Sequence, residues 1–203
     1  MRKFLGNILQ KSNDAAGRFR RDERGVAAIE FCFIAPLLIT IWLGTMEISQ
    51  GIEVNKKVGR SASMIGDIIT QEESQTVAQI EDILKVGAAV LQPYNRDAPR
   101  ITVTEIFINA GLAASVVWSR RSEDGVFSRP YAPNAAVTTL PANLKIANTY
   151  LVRVETQLEY IPITSWTIKK NKTKAGQGYA SVNMAETYYL RPRPGADVEC
   201  IGC

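Results

Sequence analysis

Glu30 is the only charged side chain among the 21 residues from Val26 to Met46. An ionisable group in so apolar a stretch costs roughly 2.5–3.5 kcal/mol to insert in a bilayer, so it implies a partner. Gly25 ends a basic stretch just before it, and Val26 stands to Glu30 as i to i+4, on one face of any helix formed there. The chemistry open to this carboxylate is to meet a cation on that face and fix the register of packed helices. The structural alternative is a glutamate that snorkels to the near membrane interface.

Cys200-Ile-Gly-Cys203 is a C-x-x-C pair in the last four residues of the sequence. In a cytosolic βαβ setting such a pair would indicate a redox or zinc site. Here no helix follows to stabilise a thiolate, and no second pair completes a zinc set. In an oxidising compartment Cys200 and Cys203 close to a small structural disulfide, whose short loop places its stabilisation at the low end. A redox enzyme using the two thiols is the competing reading. Cys32 reads as a small apolar residue. The chain has no histidine, which removes the commonest general base and the commonest metal ligand. Thr164 and Ser165, beside Trp166, therefore lack a histidine to activate them, and no phosphate loop or paired-carboxylate motif stands out. The residues predict no catalytic centre, no metal and no cofactor.

The elements that must position Glu30 begin with charge. Residues 1–25 hold seven basic side chains against three acidic ones, which accounts for the whole net charge of +4; the other 178 residues carry 17 of each sign. The positive charge thus belongs to the N-terminal segment and not to a basic domain face, so a nucleic-acid partner is not expected. Val26–Met46 as a helix is roughly 31 Å long, the thickness of a bilayer core. Pro36 inside it is better tolerated in a membrane helix than in a soluble one. Arg18, Arg20, Arg21 and Arg24 crowd the near flank, whereas Glu47 and Glu53 precede the first basic residue, Lys56, on the far flank. That asymmetry predicts a single-pass protein with a cytoplasmic N-terminus and residues beyond about 47 outside the cytoplasm. The exit, Leu43-Gly-Thr-Met-Glu47, offers no small-residue signal-peptidase site. An uncleaved signal anchor is one possibility, and cleavage on the cytoplasmic side is the other.

Gly25-Val26-Ala27-Ala28-Ile29-Glu30-Phe31 after a basic leader resembles a type IV prepilin processing site. Its continuation through Pro36-Leu37-Leu38, Gly44 and Glu47 resembles the TadE-like pseudopilins of tight-adherence (Flp) pilus systems. The likeness covers about residues 20–60; the last 140 residues show nothing comparable. It implies a minor pseudopilin of the bacterial inner membrane with a periplasmic C-terminal domain. It further implies cleavage after Gly25 by a prepilin peptidase, Val26 as the new N-terminus, and Glu30 as the assembly contact. The implied partners are that peptidase, other pseudopilin or pilin subunits, the assembly platform and the inner membrane. An α-ammonium on Val26 would have a pKa of about 7.7–8.0 and lie one turn from Glu30, with the carboxylate in the first turn of the mature helix. The rival expectation is an unprocessed, signal-anchored binding or scaffold protein.

Downstream, Ile48, Ile52, Asn55, Val58, Ala62, Ile65 and Ile69 recur at helical spacing, which predicts one helix from 26 to about 69 with an apolar stripe in its second half. Gly51, Gly59 and Gly66 weaken it or mark close packing. A second helix is expected from about Thr76 to Leu91, capped by Ser74 or Thr76 and stopped by Pro93. The period then changes to two over 100–108, 114–121, 149–160 and 179–190, with a hairpin at Asn109–Ala113. Residues 123–148 are expected to be a long irregular connection, and the run from Lys169 to Lys174, with four lysines, a solvated turn or a contact for an acidic partner. The predicted fold is α+β and pilin-like, a long N-terminal helix packed on an antiparallel sheet of about four strands. Its divisions are a leader at 1–25, a span at 26–46, the continuing helix at 47–72 and an α+β domain at 73–203.

Overall fold

A computed structural model describes residues 25–93, 98–162, 181–193 and 196–203. The leader up to residue 24, the lysine run at 169–174, the Thr164–Trp166 stretch and the start of the last predicted strand at 179 lie outside them. The protein is α+β and divides into two compact units, Met1–Met46 and Glu47–Cys203. Helix α1 is Val26–Ile69. In the first unit every described residue is unburied.

In the second unit α1 buries Val54, Val58, Gly59, Ser61, Ala62, Ile65, Gly66 and Ile69. The stripe expected from Ile48 thus begins at Val54, and Ile48 and Ile52 remain exposed. Two glycines are the seat of the strand Val182–Leu190. A Cβ on Gly66 would overlap Leu190 and crowd Val154, and one on Gly59 would sit 3.5 Å from the Tyr188 hydroxyl. Their helix-weakening cost of about 1 kcal/mol each is offset by this close approach.

Strand β1 (Ser74–Thr76) leads into helix α2 (Val77–Val90). Thr76 is the N-cap, and its hydroxyl accepts the Gln79 N–H while the Gln79 side chain accepts the Thr76 N–H at 2.8 Å. This reciprocal cap satisfies two donors that a helix start leaves unpaired. Helix α2 turns Ile80, Leu84 and Gly87 inward. At Gly87 it meets α1 so closely that a Cβ would overlap Ile65, and Ser61 Oγ donates to the Gly87 carbonyl at 2.8 Å.

The main sheet has five strands in the order β4-β3-β2-β5-β6, every pair antiparallel. They are β2 (Arg100–Ile108), β3 (Ala114–Glu123), β4 (Val126–Ser128), β5 (Thr149–Tyr160) and β6 (Val182–Leu190). The 109–113 hairpin forms, with the Asn109 carboxamide oxygen accepting the N–H groups of Gly111 and Ala113 at 2.9 and 3.0 Å. Strand β4 corrects the expectation of irregular chain from 123. Asp124 and Gly125 both take positive φ, 52° and 73°, and turn the chain back on β3. Asp-Gly is the residue pair that a tight hairpin turn of this hand favours.

One sheet face packs Ile101, Val103, Trp118, Val152 and Val154 against Ala62, Ile65, Ile69, Ile80, Leu84 and Val198. The opposite face is not open, as a polar alternation would have it. Residues 131–137 run along the outer edge of β3, with Val116 N donating to Ala135 O at 2.9 Å and Val137 N to Ala114 O at 2.9 Å. Leu140, with Val137 and Leu144, then covers Ile106, Ile108 and Leu151. The connection thus protects a strand edge and builds a second core layer. A separate parallel pair joins β1 to β7 (Glu199–Ile201), with Gln75 opposite Cys200.

Candidate functional site

The residues singled out at the N-terminus fall where a helix begins. Gly25 immediately precedes α1, Val26 is its first residue, and Glu30 lies one turn along the same face. The first turn contains no acidic residue. Glu30 therefore opens the second turn rather than lying in the first, and the favourable helix dipole, which fades within the first turn, helps it less. Val26 is 50% exposed and Phe33 79%, and Glu30 is exposed too. Within this segment the polar atoms are served locally: Thr40 Oγ1 donates to the Pro36 carbonyl at 2.7 Å and Thr45 Oγ1 to that of Ile41 at 2.9 Å. Hydroxyls satisfied inside their own helix suit an apolar surrounding. The helix is long and apolar enough to cross a membrane. Cys32 is free and exposed on it.

At the other end of the chain a disulfide joins Cys200 and Cys203, with Cα atoms 5.5 Å apart. Both packed cysteines rest against the helix-side core. Among the described residues no group of three His, Cys, Asp or Glu side chains could hold a metal ion.

Two charged residues not expected as site residues are buried in the sheet; the alternation of 149–160 predicts a polar face for Arg153. Glu105, on β2, is fully buried on the helix side, in step with Ile101 and Val103. Its Oε1 accepts the Val198 N–H at 2.7 Å, and Trp118 Nε1 donates to the Val198 carbonyl at 2.8 Å. Burial pushes the Glu105 carboxyl up to about 7, the Val198 hydrogen bond opposes this, and Asp197 adds to it. The parity was the available signal: a glutamate two residues beyond two buried β-branched residues points to the same face. Arg153, on β5, is 95% buried on the opposite face, donating to Thr139 Oγ1 at 3.3 Å, facing Glu155 at 3.4 Å and stacking 5.4 Å from the Tyr131 ring. Through Thr139 and the Tyr131 ring it ties the 131–139 segment to the sheet.

No protein-family model, curated protein or solved structure matches this chain.

Proposed function

We propose that the protein is a TadE-like minor pseudopilin of a tight-adherence (Flp) pilus system, anchored in the bacterial inner membrane with residues beyond 47 in the periplasm. A prepilin peptidase cuts after Gly25, Val26 becomes the N-terminus, and the chain joins pilin or pseudopilin subunits and the assembly platform through its N-terminal helix. Chemistry is performed on the chain rather than by it. The observation that carries this reading is a single carboxylate, Glu30, one turn into an apolar helix that starts directly after Gly25 and buries nothing between 26 and 46. A lone, unburied carboxylate there gains from a cation supplied at the same depth, and cleavage supplies one, the new α-ammonium of its own or a neighbouring chain.

The test is the mature N-terminus of membrane-extracted protein from cells with and without a prepilin peptidase. Mass spectrometry is expected to read Val26 only when the peptidase is present. Met1 or Arg2 in both samples would sink the proposal and leave an unprocessed, signal-anchored scaffold in its place. Glu30→Gln is expected to leave cleavage intact and to lower recovery with partner subunits on the order of a hundredfold, the effect of losing about 3 kcal/mol from a desolvated pair.

A further inference from the structure

The C-terminal segment from residue 196 to 203 is bound to the domain at two kinds of site. Its backbone extends the turn after α1: Glu199 N donates to Glu73 O at 2.9 Å, and β7 lies in register on β1 from Ser74 to Thr76. Just ahead of it, Arg193 N donates to Thr70 O at 3.0 Å, and the Arg193 guanidinium pairs with Asp67 on the last turns of α1. The second site is Val198, whose side chain is fully buried and whose two backbone groups are taken by side chains of the sheet, N–H by Glu105 and C=O by Trp118.

The Glu105 end of this arrangement is unbalanced. Oε1 is engaged, but Oε2 is buried and has no hydrogen-bond partner among the described residues. Among the described residues no cation answers the carboxylate. The charged or titratable groups around it are Asp197 on the same C-terminal segment, Tyr150 on β5, and Arg120 on β3, which is held 3.6 Å from Glu81 of α2. Tyr150 is itself held above its ordinary pKa, by burial and by the charges of Asp197 and Glu105. A negative charge on Glu105 is therefore buried, faces a like charge, and can reach water only if the segment lying over it moves.

We propose that residues 196–203 are a releasable clasp on the end of α1 and the start of α2, closed while Glu105 is neutral and loosened when Glu105 ionises. Protonated Glu105 still accepts the Val198 N–H and keeps the lid over the core. Ionised Glu105 keeps its attraction for the Val198 N–H, but its burial and the like charge of Asp197 outweigh that bond, so the segment lifts, water enters beside Trp118, and β7 loses its anchor while the Cys200–Cys203 loop travels with it. The sign follows from linkage. The closed state holds its proton to a higher pH than the open state, where a glutamate has its ordinary value of about 4.5, so opening is rarest at low pH and levels off once pH exceeds the closed-state value of about 7.

Amide hydrogen exchange at Val198 and Glu199, on the full chain in detergent micelles and corrected for intrinsic rates, measures the opening constant. It is expected to rise roughly fortyfold between pH 5 and pH 7, most steeply near pH 6, and then to flatten. Glu105→Gln, which keeps a neutral acceptor, is expected to stay closed and flat over the same range. Asp197→Asn removes the like charge, so its curve should flatten at lower pH with a smaller total rise; this variant carries the test if Glu105→Gln does not fold. A wild-type opening constant that is flat from pH 5 to 8 would overturn the clasp. So would a pH rise that Glu105→Gln retains in full, or one that Asp197→Asn leaves unmoved.

Discussion

Helix α1 carries two stretches of apolar side chains with opposite fates. Between Val26 and Met46 none is buried, whereas between Val54 and Ile69 eight residues are, on a repeat of three and four. The first stretch is apolar on all faces and interrupted by one acid, Glu30. The second is apolar on one face, lined with Ser61, Gly59 and Gly66 where α2 and β6 come close. The difference shows in what each side chain is asked to do. In the first stretch hydrophobicity is enough and shape is free. In the second, shape is fixed by named neighbours, and a methyl group more or less is felt.

The largest effect should separate the two stretches directly. Ile65→Ala removes a fully buried side chain from the main core and is expected to cost about 2–5 kcal/mol in denaturant unfolding of the second unit, Glu47–Cys203, read by circular dichroism in micelles. Leu37→Ala, from the unburied stretch, is expected to change the same midpoint by less than about 0.5 kcal/mol. Equal effects would erase the distinction.

A second experiment compares the two lone acids, Glu30 and Glu105. Because the folded-state pKa of Glu105 is raised from 4.5 to about 7, its contribution is fully present below about 4.5 and lost as pH rises toward 7. Relative to Glu105→Gln, wild-type unfolding free energy is expected to fall by about 3 kcal/mol or less between pH 4.5 and 8. Glu30→Gln, at a residue that is not buried in the fold, is expected to change the same unfolding free energy by less than about 0.5 kcal/mol. The smallest effect belongs to the cap of α2. Thr76→Ala removes the reciprocal bond with Gln79 and should cost about 1 kcal/mol, measured by the same unfolding midpoint.

Much of the framework was written in local pattern. Strands β2 and β5 occupy the residues their alternation marks, Arg100–Ile108 and Thr149–Tyr160, and α2 begins at the threonine that caps it. What escaped was set by contact across distance. Periodicity reports that Ile48 and Ile52 share a face with Ile65, but not where the sheet stops covering that face. The three-residue strands β1 and β7 are too short to show a period, and their partners lie more than a hundred residues apart in sequence. Strand β4 was legible in Asp124-Gly125 but obscured by the prolines that follow. Glu105 had the parity of a core residue and the chemistry of a surface one, and only its bond to Val198 reconciles the two. At the N-terminus the spacing of Gly25, Val26 and Glu30 was plain in the sequence. The structure adds only that this face is exposed.

The place of Val198 has a consequence for the order of folding. Its bonds reach back 93 residues to Glu105 and 80 to Trp118. In a chain that emerges from its N-terminus, the sheet and both helices are complete while this part of the core still lacks its last occupant. Until then the indole N–H of Trp118 and the Glu105 carboxyl stand wet at an open seam, and the late, long-range closure that seals them is slow by the rule that distant contacts cost more loop entropy. Until Val198 arrives, the nascent domain is a nearly finished vessel with its plug missing.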